Sequence, residues 1–284
     1  MLHALAAEVS NLHGVFSQEL LPVLTIAPRD SVTFAIPDGM WALDTGEQIA
    51  PRDPAVETGH ALIGPIEVRG ARAGQILVVH IDAVRPGRTG VTLTEAPHLI
   101  RWELDGDVGC GGGRSVRLAP FLGVMGMPPP EPGFHSTHPP RPWGGNIDCK
   151  ELVAGTVLFL PIPVDGALFS CGDGHAAQGD GEVSGTAIEC PVSAQLTLDV
   201  RDDIELEWPF ARLADSWLTF GFHEHLGRAA RIAVDGMLDL MERELGTTRA
   251  DALAFASVVV DLRVTQVVNG VLGVHAVLRD DAFV

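Results

Sequence analysis

The sequence predicts a mainly β protein with a β-sandwich core of the jelly-roll type and a C-terminal α+β layer. Three observations predict this fold: many short apolar runs between residues 22 and 200, the 32 glycines and 20 prolines scattered among them, and a change to helical spacing in the last third. Short strands separated by Gly and Pro turns are typical of sandwiches and jelly rolls. We expect residues 1–210 to form the sandwich and residues 211–284 to pack on it as the α+β portion.

The strands are predicted from the apolar runs. They are expected at residues 23–26, 32–36, 66–68, 76–84, 156–160, 167–170, 183–188 and 194–200. In the last run Ala194, Leu196, Leu198 and Val200 alternate with polar residues, which is the period of a half-buried strand. Residues 106–145 carry three consecutive glycines and three consecutive prolines, so we expect a long irregular loop there.

The C-terminal third predicts two helices and a hairpin. Helical spacing is seen for Ala229, Ile232, Ala233, Met237, Leu240, Met241 and Leu245. Gly246 is a typical helix stop, and Thr248 with Asp251 predicts a capped second helix through about Val258. Asn269-Gly270 between the apolar runs 262–268 and 274–278 predicts a β-hairpin.

Charge and cysteine content exclude several classes of protein. The net charge of −18 and the pI near 4.8 argue against a nucleic-acid partner, because no basic phosphate-binding surface is available. The first residues have no basic segment before an apolar core, and no run is long enough to span a membrane. The four cysteines form no C-x-x-C pair, so no thiolate zinc site is indicated. We expect reduced thiols in a cytoplasmic protein, and two disulfide bonds are the alternative.

The most informative segment is residues 171–182, CGDGHAAQGDGE. It holds the carboxylates Asp173, Asp180 and Glu182, the imidazole of His175 and the amide of Gln178, with glycines between them. Asp and His together suit zinc, whereas carboxylates and amide oxygens alone suit calcium or magnesium. The sequence therefore predicts either a cation site or an acidic surface turn at this place.

A second polar group, Gly144-Gly145-Asn146-Ile147-Asp148, is weaker evidence. Two glycines, an amide and a carboxylate at this spacing are also typical of an Asx turn at the start of a strand. His60 is a single histidine, and such residues are more often surface or core residues than metal ligands. Neither signal identifies a site alone.

Five blocks of the chain, taken in order, resemble the acetamidase/formamidase family. They are TGH (58–60) with IGPIEVRGA (63–71), GVMG (123–126), GGNID (144–148), GDGHAAQGDGE (172–182), and DLRVTQVVN (261–269) with GVHA (273–276). The resemblance spans most of the chain, and 173–182 is its most specific part. It implies a jelly-roll sandwich, hydrolysis of small linear amides such as formamide or acetamide, a bound metal, and a homodimer or higher homo-oligomer. Residues 37–54 and the absence of tyrosine depart from the family pattern.

Roles for the polar residues follow from the chemistry of amide hydrolysis with the metal that this resemblance implies. We expect Asp148, Asp173 and His175 to bind a divalent metal, with His60 as a fourth ligand. Zinc is the expected ion and calcium the alternative, since a catalytic zinc usually keeps three protein ligands and one open position.

The remaining polar residues are expected to serve the reaction. Glu182 is the expected general base that moves a proton from water to the leaving ammonia, with Asp180 as the second choice. Asn146 and Gln178 are expected to bind the amide substrate or its oxyanion.

Two other functions remain open from the sequence. The first is a cysteine-dependent amidase, with Cys149 beside Lys150 and Glu151, or with Cys171 as the thiol. Neighbouring residues in a strand point to opposite faces, which argues against a compact triad at 149–151. The second is a non-enzymatic β-sandwich module that binds a metal or a sugar. Thiol alkylation and ammonia release distinguish these from metal-assisted hydrolysis.

Overall fold

A computed structural model describes residues 1–94 and 98–284. In the first half, the described residues form the strands β1 (Leu2–Leu5), β2 (Leu12–His13), β3 (Leu24–Ile26), β4 (Asp30–Ile36), β5 (Leu62–Val68), β6 (Ile76–Pro86), β7 (Thr89–Thr94), β8 (His98–Asp105), β9 (Val108–Gly111) and β10 (Arg114–Arg117).

The second half contains the remaining strands and two α-helices. They are β11 (Phe121–Gly126), β12 (Gly144–Asn146), β13 (Val157–Pro161), β14 (Phe169–His175), β15 (Val192–Arg201), β16 (Phe210–Arg212), β17 (Ser216–His223), α1 (Leu226–Leu245), α2 (Arg249–Val259), β18 (Val260–Gln266) and β19 (Leu272–Arg279). Short 3-10 turns lie at Val9–Asn11 and Asp280–Ala282.

Three sheets organise these strands. The large sheet has nine strands in the order β1-β4-β15-β6-β13-β16-β17-β19-β18, and the second has the order β12-β11-β14-β5-β2 with β3 beside β5. A small sheet has the order β10-β9-β8-β7. The main hydrophobic core lies between the two larger sheets, with Val79 and Leu196 from one and Ile66 and Phe169 from the other. The mainly β fold predicted from the sequence is therefore confirmed.

The two helices cover the outer face of the nine-stranded sheet. Ala233, Met237 and Met241 of α1 pack with Val274 and Ala276 of β19 in a second apolar cluster. The predicted helix ends are confirmed, since Gly246 adopts a left-handed conformation after α1 and the Thr248 hydroxyl accepts a hydrogen bond from the Asp251 amide. Neither described helix combines the length and the apolar run that crossing a bilayer would need.

The C-terminal hairpin continues the large sheet. Strands β18 and β19 pair antiparallel, as predicted, and β19 pairs with β17. The predicted division at residue 210 falls inside β16, whose partners are β13 and β17. The two-part division of the chain therefore stays a prediction, while the strands of both parts share one sheet.

Two local predictions were wrong. The run 183–188 is a turn region with no strand, because Gly185 has a φ of +83° and its amide donates to the Glu182 carbonyl. The segment 106–145 is not one long loop, since it contains β9, β10 and β11. Its glycines 112 and 113, at φ +55° and +73°, form the hairpin turn between β9 and β10, which suits residues free to adopt positive φ. Its longest stretch without a strand is residues 127–143.

Candidate metal centre and active site

Strand β14 carries the centre of the candidate site. Asp173 and His175 are two residues apart on this strand, so both side chains point to the same face, as predicted. Both are buried. On the neighbouring strand β11, Gly123 leaves a gap in front of them. A β-carbon at residue 123 would lie 2.6 Å from Asp148 Oδ1, 2.6 Å from Asp173 Oδ2 and 3.0 Å from His175 Cε1.

Two overlapping groups of possible metal ligands share His175. One group is Asp148, His175 and Glu182, and the other is Asp173, His175 and Glu189; within each, the ligand atoms lie within 4.8 Å of one another. His175 Nε2 is 3.3 Å from both Asp173 Oδ2 and Glu189 Oε2, and His175 Nδ1 is 4.0 Å from Asp148 Oδ1. The structure thus brings together three of the predicted ligands and adds two glutamates.

Glu189 was missed by the sequence reasoning. It lies between Ile188 and Cys190, just before β15. A carboxylate within an apolar run is a sign of a buried charge, and this sign was overlooked. Its side chain is buried, and its Oε1 accepts a hydrogen bond of 2.8 Å from the Ala187 amide. A buried carboxylate usually requires a charged partner, and such residues are more informative than exposed ones.

Burial and like charges shift the pKa values of the acidic residues. Burial raises the pKa of Asp148 to about 7, and burial together with the charge of Asp148 raises the pKa of Glu182 to about 10. Burial also raises the pKa of Glu189. Burial alone would raise the pKa of Asp173, but the facing imidazoles of His60 and His175 lower it. Shifts in both directions within one cluster are typical of functional sites.

The imidazole of His175 balances part of this negative charge. Burial would lower its pKa, but the carboxylates of Glu189 and Asp173 outweigh burial and raise the pKa well above its usual value. Four carboxylates face this one imidazole, and no Lys or Arg lines the adjoining cavity among the described residues. The remaining carboxyl groups are therefore neutralised either by protonation, which their raised pKa values favour, or by a bound cation.

Asp148 offers the clearest sign of a missing partner. Its Oδ2 accepts a 2.6 Å hydrogen bond from Asn269 Nδ2, whereas its buried Oδ1 has no hydrogen-bond partner among the described residues. The buried Oδ1 of Asn146 also lacks one in the described chain. Buried polar atoms without partners are costly, so these oxygens are suited to accept a hydrogen bond or to bind an ion.

Backbone conformation agrees with a functional site. Asp148, Asp173 and Glu182 have φ values of +52°, +60° and +44°, in the left-handed region that non-glycine residues rarely adopt. Strained backbone of this kind persists only where surrounding structure holds it, and it concentrates at active sites and ligand clamps. Three acidic residues with strained backbone in one cluster therefore indicate a functional site.

The other predicted site residues take different positions. Gln178 is 2.9 Å from His175 Nδ1 through its Oε1 and donates through its Nε2 to the Asp148 carbonyl at 2.7 Å. This geometry favours a positioning role over the predicted substrate contact. Asp180 pairs with Lys150 Nζ at 2.9 Å and is partly exposed, outside both ligand groups. The predicted role of Asp180 as a second base stays a prediction.

His60 lines the cavity but belongs to neither ligand group. Its Nδ1 is 2.9 Å from the hydroxyl of buried Thr137, and its ring stacks edge-on against His138 at 4.6 Å. The irregular segment 127–143 therefore positions His60 at the cavity wall. The predicted role of His60 as a fourth ligand remains a prediction.

The cavity above the carboxylates has a volume of about 340 Å³. Asp148, Asp173, Glu182 and Glu189 lie on its polar side, whereas Met40, Trp41 and Pro51 form an apolar wall. Trp41 has a φ of +69°, and its indole Nε1 donates to the Gly59 carbonyl at 3.0 Å. The segment 37–54 thus contributes one side of the site.

These residues fit a divalent cation. Imidazole and carboxylate donors together are the usual ligands of catalytic zinc, and carboxylates alone would suit calcium. The gap beside Gly123, the unpaired Asp148 Oδ1 and the clustered carboxylates are the structural observations that support this fit. The alternative of an acidic surface turn is excluded for Asp173, His175 and Glu182, because all three are buried.

Known proteins share both the fold and segments of the sequence. An acetamidase of Bacillus halodurans superposes with a TM-score of 0.86 at 27% identity, covering 97% of each chain. An acetamidase of Yersinia enterocolitica gives a TM-score of 0.88 at 24% identity, covering 99% of this chain and 92% of that one. At 24% identity, the similarity to the Yersinia enterocolitica protein shows a shared fold alone.

Sequence relatives match over shorter segments. A formamidase candidate of Schizosaccharomyces pombe is 28% identical, covering 63% of this chain and 61% of its own length. The acetamidase of Mycolicibacterium smegmatis is 50% identical over 48 residues, which are 17% of this chain and 12% of its own. This chain therefore matches less than two thirds of the length of these relatives.

The acetamidase/formamidase family model matches residues 133–213. The matched segment contains Asp148, Asp173, His175, Glu182 and Glu189, which are the five residues of the two overlapping ligand groups. Over this segment, and in its fold, the chain is therefore similar to members of the acetamidase/formamidase family.

Proposed function

We propose that this protein is an amidase that hydrolyses the C–N bond of small linear amides to a carboxylate and ammonia, assisted by a divalent metal ion. The observation that carries the proposal is the buried cluster of four carboxylates around His175 at the floor of an open cavity. Such a cluster is expensive to fold without a cation, and it lies where a small substrate enters.

The chain offers two ligand sets for the ion. Asp148, His175 and Glu182 form one, and Asp173, His175 and Glu189 form the other. A bound divalent ion acidifies a water molecule and polarises the amide carbonyl. The mixture of imidazole and carboxylate donors favours zinc, and calcium is the alternative.

Glu182 is the favoured general base with the ion in the Asp173, His175 and Glu189 set, which leaves the Glu182 carboxylate free. Its carboxyl group lies at the cavity, and burial together with the charge of Asp148 raises its pKa to about 10. A cation beside it would lower this pKa toward neutrality, where a general base works best. In this role Glu182 takes a proton from the attacking water and delivers it to the leaving nitrogen, so that ammonia departs as a neutral molecule.

Substrate binding is assigned to Asn146 and the apolar wall. The unpaired Asn146 Oδ1 can accept a hydrogen bond from the substrate's amide N–H, because a carbonyl oxygen is an acceptor. Met40, Trp41 and Pro51 are placed to contact the acyl group. Formamide and acetamide would both fit such a cavity, and the wall sets which is preferred.

A cysteine-dependent amidase is less well supported. Cys149, Cys171 and Cys190 are buried, and burial raises the pKa of each thiol, to about 12 for Cys190. A reactive cysteine has a lowered pKa and some exposure. The sequence argument assumed that residues 149–151 lie in a strand, which would keep Cys149 and Lys150 on opposite faces. They lie in a turn instead, and Cys149 contacts Glu151. Lys150 forms an ion pair with Asp180 and does not complete a triad.

Self-association and a cytoplasmic location are further parts of the proposal. Phe255 and Val258, three residues apart on one face of α2, are 44% and 82% exposed. Apolar patches of this kind often mark an interface, and a second copy of the chain is the partner we infer. Free cysteines at all four positions agree with a reducing compartment.

Ammonia release tests the proposed activity. The chelator-treated protein is assayed with a panel of linear amides before and after addition of zinc or calcium. We expect activity that depends on the metal and that Asp173→Asn abolishes, while Asp165→Asn, an exposed matched variant paired with Arg72, retains it. Absence of ammonia from every amide with every metal would favour the non-enzymatic binding module.

A further inference from the structure

A second group of ligand atoms lies outside the carboxylate cluster. Cys149, Glu151 and His275 bring one sulfur, one carboxylate oxygen and one imidazole nitrogen within 4.8 Å of one another. Cys149 and Glu151 belong to the turn after Asp148, and His275 belongs to β19. The group shares no residue with the two ligand sets around His175.

The donor atoms of this group converge on one point. Cys149 Sγ is 3.2 Å from Glu151 Oε2, and His275 Nε2 is 3.7 Å from the same oxygen. In a tetrahedral zinc site with bonds of about 2.0–2.3 Å, ligand atoms are separated by roughly 3.3–3.8 Å. Two of the three separations are therefore already close to those of a zinc site.

His275 supplies the independent sign of a ligand. Its ring is fully buried, and Nε2 has no hydrogen-bond partner among the described residues. Its Nδ1 is 2.8 Å from the Thr265 hydroxyl, an interaction that lets Nδ1 carry the proton and leaves the Nε2 lone pair free. Metal-binding histidines commonly have their second nitrogen held in this way.

Glu151 is oriented in the same manner. Its Oε1 accepts a 3.0 Å hydrogen bond from Arg263 Nη1, so Oε2 is the oxygen turned toward Cys149 and His275. The Glu151 side chain is 14% exposed, which leaves a path for an ion and a water ligand. Both outer partners, Arg263 and Thr265, lie on β18 and hold the donor groups from one side.

We propose that Cys149, Glu151 and His275 form a second metal site that binds zinc or a similar thiolate-preferring divalent ion. A thiolate and a carboxylate neutralise the two charges of the ion, and the neutral imidazole completes three protein ligands. Zinc suits a mixed sulfur, nitrogen and oxygen set better than calcium or magnesium does. This proposal does not depend on the amidase activity.

The site would hold the segment that carries Asp148 against the C-terminal hairpin. The turn 147–151 already meets this hairpin through the hydrogen bond from Asn269 to Asp148 and the ion pair from Arg263 to Glu151. An ion bound by Cys149 and His275 adds a direct connection between the turn and β19. Binding to the folded chain alone stabilises it in proportion to the ion's occupancy.

Cobalt is the probe that separates this site from the carboxylate cluster. Co²⁺ is titrated into the chelator-treated, reduced full chain, and the near-ultraviolet charge-transfer absorption of a cobalt–thiolate bond is recorded. We expect a band whose final intensity corresponds to one thiolate-bound cobalt ion per chain and which disappears when zinc is added. The carboxylate cluster contains no sulfur, so its occupation does not produce this band.

Matched variants assign the band. Cys149→Ser is expected to abolish it and to remove one equivalent of bound cobalt, whereas Cys110→Ser, at an exposed thiol, retains both. Asp173→Asn is expected to retain the band, because it alters only the other cluster. Thr265→Val, which removes the partner of His275 Nδ1, is expected to weaken cobalt binding by about 10- to 100-fold.

Three results would overturn the proposal: cobalt binding to the wild-type chain without a thiolate band, a band that survives in Cys149→Ser, or a band lost in Cys110→Ser. The wild-type titration decides the matter even if Cys149→Ser does not fold. None of these results bears on the amidase proposal, which fails separately if ammonia is not released.

Discussion

The backbone of Gly123 passes directly in front of the Asp148 carboxylate. A β-carbon at residue 123 would approach Asp148 Oδ1 to 2.6 Å, far inside ordinary contact distance. Asp148 Oδ1 is also the buried oxygen with no partner among the described residues. The absence of a side chain at Gly123 therefore preserves the space in which this oxygen meets its ligand.

Gly123→Ala is expected to remove metal binding and activity while the sheet persists. The added methyl group would occupy the gap between Asp148 and Asp173, at 2.6 Å from an oxygen of each. We expect kcat/KM to fall at least about 100-fold, which corresponds to roughly 2.7 kcal/mol of transition-state stabilisation. Ammonia release and bound-metal analysis measure the two effects, and circular dichroism reports the sheet.

The matched control for this substitution is Gly179→Ala. Gly179 lies in the same polar segment as His175, but a β-carbon there would meet no atom within 4 Å. We expect near wild-type activity from this control. Equal losses in the two variants, or full metal binding in Gly123→Ala, would show that the gap at Gly123 has no role.

Glu189 and Asp180 are expected to differ sharply when neutralised. Glu189 Oε2 lies 3.3 Å from His175 Nε2, so Glu189→Gln removes a charge from one ligand set and is expected to lower kcat by about 100-fold or more. Asp180 makes a partly exposed ion pair with Lys150, and such pairs contribute about 0–1 kcal/mol. Asp180→Asn is expected to retain most activity, and steady-state kinetics on both variants test this contrast.

The fold was predictable where local signals agreed with the final contacts. The helical spacing before Gly246 and the capping pair Thr248 and Asp251 act within a few residues, and both appear as predicted. The run 183–188 was misassigned because its apolar residues suggested a strand, whereas Gly185 and the left-handed Glu182 close a turn. The order of strands in the sheets depends on contacts distant in sequence and was not predicted.

The site was predictable only in part, for a similar reason. Asp173 and His175 are close in sequence, and the strand period places them on one face. Glu189 reaches the same imidazole because residues 176–189 turn back beside β14, with the Cys190 amide donating to the Gly174 carbonyl. The local sequence around Glu189 does not indicate that the chain folds back beside β14. Cys149 and His275 meet through tertiary contacts for the same reason.

The pH dependence of stability provides a further test of the carboxylate cluster. In the cation-free protein the pKa of Asp148 is about 7 and that of Glu182 about 10, above the values near 4 expected in the unfolded chain. A raised folded-state pKa stabilises the protein at low pH, and this stability is lost as pH rises through the folded pKa. The raised pKa of His175 acts in the same direction.

We therefore expect the melting temperature of the chelator-treated protein to fall as pH rises from 7 to 9, and zinc to reverse much of the fall. Below about pH 6.5 the lowered pKa values of buried His13 and His275 act in the opposite direction, so the test uses the higher range. The lowered pKa of Asp173 has the opposite effect, but only below about pH 4, where its unfolded form takes up a proton. Glu182→Gln removes one titrating group, so its melting temperature should fall less steeply. Thermal melts across this range decide the matter, and identical slopes for both proteins would contradict the prediction.

Gln178 distinguishes a positioning role from substrate binding. Its amide holds His175 Nδ1 at 2.9 Å and the Asp148 carbonyl at 2.7 Å, which leaves little capacity for a substrate. Gln178→Leu keeps the approximate size of the side chain but removes both interactions. We expect kcat to fall about 10- to 100-fold with metal affinity reduced and KM for the amide nearly unchanged, since outer partners of a metal ligand have effects of this size. A variant with full metal affinity and wild-type kcat, in which KM alone rises, would show instead that Gln178 binds the amide directly.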